Sequence, residues 1–232
     1  MTDVIPILEY LCPACGNPYY GSSIGSYSIF DVQCFSDGSA WHDFSGYTWL
    51  TRCPKCKQFF SKSHLFHFPI DPDVAKFLQY SPPRRGMRDS NEKTYGNVDF
   101  CRESGESMRT FLEKAIEQGL YFPILTTPDE RAETYVMLYR DLWWEYNRTG
   151  DLYTDDGYVN HCERLIEMLL GREKTDETNL MLAELYRNVG DFANSELCLG
   201  RVMPKSDTLP YIACIRAQNK INNKKTERII FK

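Results

Sequence analysis

Cys12-Pro13-Ala14-Cys15-Gly16 near the start of the chain is matched by Cys53-Pro54-Lys55-Cys56-Lys57 further along. In each stretch two residues separate the cysteines, a spacing that lets both sulfurs of a pair turn toward one ion. Four thiolates complete the shell of a tetrahedral zinc ion. The sequence therefore predicts one structural Zn²⁺ per chain. Its predicted ligands are Cys12, Cys15, Cys53 and Cys56.

The residues beside the cysteines are those that such turns require. Pro13 and Pro54 follow the first cysteine of each pair and preset the backbone φ angle. Gly16 follows the second cysteine of its pair, where a positive φ lets the chain leave the turn at low cost. Lys57 occupies the matching position of the second pair, so we expect that turn to tolerate a side chain.

The segment between the two pairs is long. Thirty-seven residues separate Cys15 from Cys53, against about 15–20 in compact zinc ribbons. Aromatic and β-branched residues fill it, and Asp37-Gly38 is a turn signal within it. We expect two or three antiparallel strands here and a further strand over 58–68, forming an elongated ribbon hairpin with the metal at one end.

Other side chains in this region are possible metal ligands. His42, His64 and His67 are rivals by residue type, but four cysteines already fill a tetrahedral shell. Cys34 lies in a predicted strand and is interpreted as a small buried side chain. Iron in an all-thiolate site remains an alternative to zinc, which is the commoner occupant.

Composition limits the function classes. The net charge of −5 over 232 residues disfavours a broad, sequence-independent grip on nucleic acid. No apolar run approaches the length of about 20 residues that a membrane-spanning helix needs. The chain opens without a secretory signal pattern, and four of its nine cysteines fall into metal-type pairs. We therefore expect a cytoplasmic protein without a membrane partner.

The rest of the chain shows helical periodicity. Apolar residues recur at helical spacing over 107–118, and Thr127-Pro128-Asp129-Glu130 is a capping box with proline at the first helical position. Further helices are predicted to about 147, over 158–170, 179–189, 193–203 and 210–221, followed by a polar tail. A short helix from residue 71 and a linker over 81–93, rich in proline and charge, precede them.

Residues 179–203 are typical of a helix hairpin. Leu182-Ala183, Tyr186 and Gly190-Asp191 are spaced as in the first helix and turn of a tetratricopeptide repeat. The second helix departs from that pattern at Ser195 and Leu199. One repeat cannot bury its own apolar face, so we expect the neighbouring helices to complete the stack.

Three groups of residues are candidates for contact with a partner. Arg84 and Arg85 in the linker, and Lys224, Lys225 and Arg228 in the tail, offer positive charge, although solvated surface charge is the simpler interpretation. Trp144 neighbours Trp143 on a helix, where only one of the two can be central in the core. We expect Trp144 to pack internally, with an exposed anchor for a partner as the alternative.

The layout resembles uncharacterised bacterial cytoplasmic proteins that join an N-terminal zinc ribbon to a tetratricopeptide-like helical region. The resemblance is carried by the two cysteine pairs, Glu117-Gln118-Gly119-Leu120, Glu130-Arg131, Leu142-Trp143-Trp144-Glu145-Tyr146-Asn147 and Gly190-Asp191. It implies an α+β architecture and assigns no activity to particular residues.

The predicted fold is thus α+β, with a zinc ribbon over 1–70, a short helix and linker over 71–102, and a tetratricopeptide-like domain of about five or six helices over 103–232. No nucleophile–base pair or phosphate-binding loop stands out. We expect a non-enzymatic adaptor that binds a protein partner. The alternatives are a nucleic-acid-binding or regulatory protein that uses the ribbon and the basic tail, and chemistry at the cysteine pairs.

Overall fold

The computed structural model describes residues 3–26, 33–41, 49–64, 66–69, 94–95, 105–150, 153 and 155–229. Within them the chain forms nine strands and six helices, an α+β fold with a helical part. The strands are β1 (Asp3–Leu11), β2 (Pro18–Ser26), β3 (Gln33–Phe35), β4 (Ala40–Trp41), β5 (Leu50–Arg52), β6 (Phe59–Ser61), β7 (Phe66–Pro69), β8 (Thr94–Tyr95) and β9 (Arg228–Ile229). The helices are α1 (Met108–Gln118), α2 (Pro128–Thr149), α3 (Asp156–Leu170), α4 (Asp176–Val189), α5 (Phe192–Leu199) and α6 (Leu209–Lys220), and a 3₁₀ turn covers Lys62–His64.

The chain divides into two compact units that are not contiguous in sequence. The first contains residues 1–30 and 44–134, and the second contains residues 31–43 and 135–232. Residues 31–43 lie inside the range predicted as zinc ribbon, yet they belong to the same unit as α3 to α6. We call the two the knuckle unit and the helical unit.

The knuckle unit contains two hairpins. Strands β1 and β2 pair antiparallel from Asp3↔Ser26 to Leu11↔Pro18, and β7 and β8 extend them to a four-stranded sheet in the order β7-β1-β2-β8. The second hairpin pairs β5 with β6, from Leu50↔Ser61 to Arg52↔Phe59. Each hairpin therefore closes across one of the cysteine pairs.

The predicted starts of α1 and α2 are confirmed by their caps. The Ser107 side chain accepts from the Thr110 amide at the start of α1. At α2 the Thr127 amide donates to Glu130 Oε2 at 2.7 Å, and the Glu130 amide donates to Thr127 Oγ1 at 3.2 Å. This reciprocal pair is the capping box expected from the sequence.

The core of the helical unit lies between α2, α3, α4, α5 and α6. Trp143 and Leu182 are fully buried in it, and α4 contacts α3, α5 and α6. Helices α4 and α5 are joined by Gly190 and Asp191, and Gly190 adopts φ 89°. The helix predicted over 193–203 ends earlier, at Leu199.

The predicted polar tail is wrong for the residues after α6 that the structure describes. Strand β9 pairs antiparallel with β3, through Cys34↔Ile229 and Phe35↔Arg228. Ile229 is buried. The short turn between β3 and β4 contains Gly38 at φ 79°, as the Asp37-Gly38 signal predicts.

Some predictions lie outside the described residues. These are the short helix from residue 71, the linker with Arg84 and Arg85, and any role of His42. None of the helices in the described ranges has both the length and the apolar character needed to cross a membrane.

Candidate metal centre

The two cysteine pairs adopt the same local structure. In the first, the Cys12 amide donates to Asn17 O at 3.0 Å and the Gly16 amide donates to Cys12 O at 2.8 Å. In the second, the Cys53 amide donates to Gln58 O and the Lys57 amide to Cys53 O, both at 3.0 Å. Each pair therefore forms a closed knuckle at the end of a β-hairpin.

The exit residue of each knuckle has a positive φ angle. Gly16 has φ 67° and Lys57 has φ 63°. Both expectations from the sequence are confirmed, because the glycine takes the conformation it favours and the second turn accommodates a lysine. The left-handed conformation costs a residue with a Cβ atom roughly 1–2 kcal/mol, so the second knuckle carries strain that the first does not.

The two knuckles bring their four sulfurs together. Cys12 Sγ lies 3.8 Å from Cys56 Sγ, and Cys15 Sγ lies 3.8 Å from Cys53 Sγ. All four sulfurs lie within 4.8 Å of one another. A tetrahedron with metal–sulfur distances of about 2.3 Å has sulfur–sulfur edges of about 3.8 Å. Disulfide bonding is excluded, since it requires sulfurs about 2.05 Å apart.

The site has a buried side and an exposed side. Cys12 is 2% exposed and Cys53 is fully buried, whereas Cys15 and Cys56 are exposed. Burial raises the pKa of the Cys12 thiol to about 11, and burial also raises the pKa of the Cys53 thiol. Burial acts in the same direction at Cys15, but hydrogen bonds from the Asn17 amide and the neighbouring thiols bring its pKa below the ordinary value.

These properties match a cation held by thiolates. A coordinating thiol is deprotonated outright by the metal, which offsets the cost of burying charge at Cys12 and Cys53. The Cys56 amide also points at Cys53 Sγ, at 3.4 Å. The donor set and its spacing therefore fit a tetrahedral metal ion.

A buried ion pair lies beside the second knuckle. Arg52, which precedes Cys53, donates to Glu106 through two nitrogens, at 2.7 and 3.3 Å, and Lys114 reaches the same carboxylate at 2.9 Å. The Arg52 guanidinium therefore meets the Glu106 carboxylate beside the second knuckle. Arg52 and Glu106 are 54 positions apart, and no local sequence pattern predicts that they pair.

Helix α1 also braces the knuckles. The rings of Phe59 and Phe111 meet edge to face, with centroids 5.2 Å apart. Beyond the end of α1, the Tyr121 amide donates to Phe59 O at 2.7 Å. Tyr121 packs against a small cluster of Cys12, Cys53 and Phe60. The residues after α1 thus close the buried side of the metal centre.

The described side chains offer no rival ligand group. Within the described ranges, the four cysteines form the only cluster of three or more His, Cys, Asp or Glu residues with ligand atoms close enough to share an ion. His64 instead makes an edge contact with Phe122, 5.9 Å between centroids, and burial lowers its pKa. Cys34, interpreted from the sequence as a small buried side chain, is half-buried in β3 and is not part of the four-cysteine cluster.

Trp144 packs internally, as expected. Its indole nitrogen donates to the backbone oxygen of Asp37 at 3.0 Å, and the Arg140 guanidinium lies 4.4 Å from the ring centroid. It is half-buried against the helical core, and Trp143 is fully buried with its indole bonded to Asn188. A role for Trp144 as a partner anchor stays a prediction.

The three basic residues predicted as a tail patch have different surroundings. Lys225 and Arg228 are exposed, whereas Lys224 is half-buried, with its ammonium 3.4 Å from Val189 O. The backbone of this segment holds it against α4, because Lys224 O and Lys225 O accept hydrogen bonds from Asn188 and Arg187. Partner contact by these side chains remains a prediction.

Comparison of the chain with models of known protein families, with curated proteins and with solved structures finds no match.

Proposed function

We propose that this protein is a non-enzymatic, cytoplasmic zinc-binding adaptor. In this proposal one zinc ion fixes the knuckle unit as a zinc ribbon, and the helical unit presents a tetratricopeptide-like surface to another protein. The observation that carries the proposal is the gathering of Cys12, Cys15, Cys53 and Cys56 with sulfur–sulfur distances of 3.8 Å across the two knuckles.

Zinc is favoured over iron because it is the commoner occupant of a site made of four thiolates. Structural zinc sites are four-coordinate and have no open position for substrate, and here each ligand is a cysteine at the end of a hairpin. Iron also accepts four thiolates, so the two metals are distinguished by measurement. Ligation by thiolates requires reduced cysteines, which supports a reducing compartment such as the cytoplasm.

The adaptor role is supported by the helices. Helices α4 and α5 form a hairpin around Gly190-Asp191, and α3 and α6 pack against α4. Stacked helix pairs of this kind form binding surfaces in repeat proteins. The metal centre contributes folding energy rather than a reactive group.

Elemental analysis of the purified protein tests the metal. We expect about one zinc per chain, bound without iron. A protein that folds with no metal, or one that carries iron with the absorption of an iron–thiolate site, contradicts the zinc assignment. A screen that finds catalytic turnover lost on mutation of the cysteines contradicts the non-enzymatic assignment.

Photo-crosslinking tests the adaptor role. A benzophenone residue placed on the exposed surface of the helical unit, at Ser206 for example, is expected to capture a defined protein, whereas the same probe at the exposed Glu117 on α1 of the knuckle unit serves as a comparison. If neither position captures a protein and the chain binds nucleic acid with steep salt dependence, the nucleic-acid alternative replaces the adaptor.

A further inference from the structure

The helical unit contains a cleft that the metal centre does not use. Its volume is about 420 Å³, within the range of about 300–1,000 Å³ that is usual for ligand pockets. The walls come from the turn between β3 and β4, from α2, from the start of α4, and from the residues that lead into α6. Together with Tyr211 of α6, five segments of the chain thus surround one concave surface.

The floor of the cleft is apolar and aromatic. Trp144 from α2, Leu180 and Met181 from α4, and Tyr211 from α6 all line it. Trp144, Leu180 and Met181 are half-buried because they pack on the core of the unit. The Arg140 guanidinium lies 4.4 Å from the centroid of the Trp144 ring, so one face of this ring already binds a cation of the same chain. Indole and phenol rings bind cations through their faces.

The charge of the lining is strongly acidic. Four carboxylates, those of Asp37, Asp176, Glu177 and Asp207, line the cleft together with the single cation Lys205. Lys205 is paired with Asp176 at 2.8 Å, and Asp176 also accepts from the Met203 amide at 3.0 Å. Asp37, Glu177 and Asp207 therefore leave the cleft with an excess of negative charge after that pair is set aside.

We infer that this cleft binds a cationic segment of a protein partner, in which an arginine or lysine side chain lies next to an apolar one. The cationic group meets the carboxylates and the aromatic rings, and the apolar neighbour covers Leu180 and Met181. This inference rests on the proposed adaptor function and names the chemistry of the partner. A free amine lacks the apolar group that would cover Leu180 and Met181. An anionic peptide lacks the positive charge that would meet the carboxylates.

Peptides of opposite charge provide the first test. One short fluorescein-labelled peptide alternates arginine with leucine, a second alternates glutamate with leucine, and a third alternates arginine with serine. We expect the metal-loaded full-length protein to bind the arginine–leucine peptide, measured by fluorescence anisotropy, and to bind the other two at least about tenfold more weakly. Equal binding of the arginine–leucine and arginine–serine peptides, or no binding of either, overturns the inference.

Two double variants locate the binding. E177Q/D207N removes two exposed carboxylates of the cleft, and we expect it to weaken binding of the arginine–leucine peptide about fivefold or more. E163Q/E173Q removes the same charge from two exposed positions that do not line the cleft. We expect that control to stay within about twofold of the unchanged protein. Equal losses in the two variants mean that only net charge is sensed, and the cleft is then excluded.

The crosslinking experiment separates failure of this inference from failure of the proposed function. If the E177Q/D207N protein still captures the same partner through a probe elsewhere on the helical unit, the adaptor stands and the cleft assignment is wrong. If the unchanged protein captures no protein and binds none of the peptides, both are wrong.

Discussion

Ser36 and Glu184 are hydrogen-bonded in the core of the helical unit, with Oγ 2.7 Å from Oε1, although 148 positions separate them in the sequence. Glu184 is fully buried and paired with the equally buried Arg187. The Ser36 hydroxyl also accepts from the Glu227 amide at 2.9 Å. One hydroxyl therefore joins the β3–β4 turn, helix α4 and the segment before β9.

We expect Ser36→Ala to lower the free energy of unfolding by about 1–3 kcal/mol, because it leaves buried polar groups with fewer partners. Urea unfolding followed by circular dichroism measures the change. Ser206→Ala, at an exposed position of the same unit, is the control and is expected to have little effect. Equal midpoints for the two variants would show that the Ser36 hydroxyl does not stabilise this junction.

The grouping of the four cysteines and most helix bounds could be predicted because their signals are local. A CxxC spacing, a capping box at Thr127 and a glycine after Gln118 or Val189 each act within a few residues. The predicted start of α1 after Ser107 and the end of α4 at Val189 match the structure for this reason.

Strands β1 and β2 are not predicted from the sequence, and the reason is physical. Pro6 lies inside β1, where proline normally argues against a strand, and Gly21, Ser22 and Ser23 in β2 are turn formers. The structure accommodates the proline with a register shift between Pro6 and Leu8. Strand pairing between β1 and β2 overrides these local preferences.

The polar contacts that unite distant segments could not be predicted from the sequence. Glu184 and Arg187 stand three positions apart on a helix, a spacing that usually indicates an exposed ion pair. Their full burial depends on Ser36 and on residues 223–227, which only the fold brings to them. The prediction of a polar tail is wrong for the same reason, because the backbone of this segment supplies the acceptors for Arg187 and Asn188 of α4.

Gly16 and Lys57, the residues that follow the last cysteine of each knuckle, both have a positive φ angle but differ in residue type. This difference gives one prediction for each knuckle. We expect Lys57→Gly to raise the free energy of unfolding of the metal-loaded protein by about 1 kcal/mol, and Gly16→Ala to lower it by a similar amount, because only glycine adopts positive φ without cost. No atom lies within 4 Å of a Cβ added at Gly16, so the loss there would come from the backbone conformation. Thermal unfolding measures both.

Gly171→Ala is the matched control, since Gly171 has φ −75° and its added Cβ would meet only an ordinary contact at 3.8 Å. A loss at Gly171 as large as that at Gly16 would remove the explanation by positive φ.

Loss of one ligand is expected to empty the metal centre. Cys12→Ser and Cys53→Ser each leave three thiolates and a buried hydroxyl, so we expect bound metal, measured by mass spectrometry after desalting, to fall well below one per chain and the knuckle unit to unfold at lower temperature. Cys214→Ser alters a half-buried cysteine on α6 that is not a ligand, and it should keep its metal. Full metal content in Cys12→Ser and Cys53→Ser would contradict the four-cysteine site.

We expect the segment after α6 to stabilise the folded helical unit through its contacts with α4. Removing residues 222–232 deprives Arg187 of the carbonyl acceptors of Asn223 and Lys225, and Asn188 of that of Lys224. We therefore expect the truncated protein to lose at least about 3 kcal/mol in urea unfolding.

Lys225→Gln/Arg228→Gln removes charge at two exposed positions and keeps the backbone, so it should change stability by less than about 1 kcal/mol. This double variant, rather than truncation, tests the nucleic-acid alternative. If that alternative holds, the double variant reduces the salt dependence of binding. Equal stability of the truncated and full-length chains would show that the segment does not support α4.

Asp37 gives the helical unit a specific pH dependence. Burial raises the pKa of this carboxyl from 3.8 to about 6. Hydrogen bonds from Ser39 and from Asn147 Nδ2, the latter at 2.8 Å, lower the pKa but do not cancel the effect of burial. The unfolded chain releases the proton near the ordinary pKa, whereas the folded chain keeps it to about pH 6. Between these values the folded state binds more protons, so its stability falls as pH rises. The difference between 3.8 and about 6 corresponds to roughly 3 kcal/mol.

We expect Asp37→Asn to remove this fall, because an amide does not ionise and can still bond to Ser39 and Asn147 after the Asn147 amide turns over. The measurement is urea unfolding at several pH values from about 4 to 8, with the difference between the unchanged protein and Asp37→Asn taken at each pH. That difference cancels the titration of the metal-binding cysteines, which both proteins share. Asp207→Asn, which removes one charge at an exposed position, is expected to run parallel to the unchanged protein. Parallel curves for Asp37→Asn as well would mean that Asp37 ionises in the folded chain as easily as in the unfolded one.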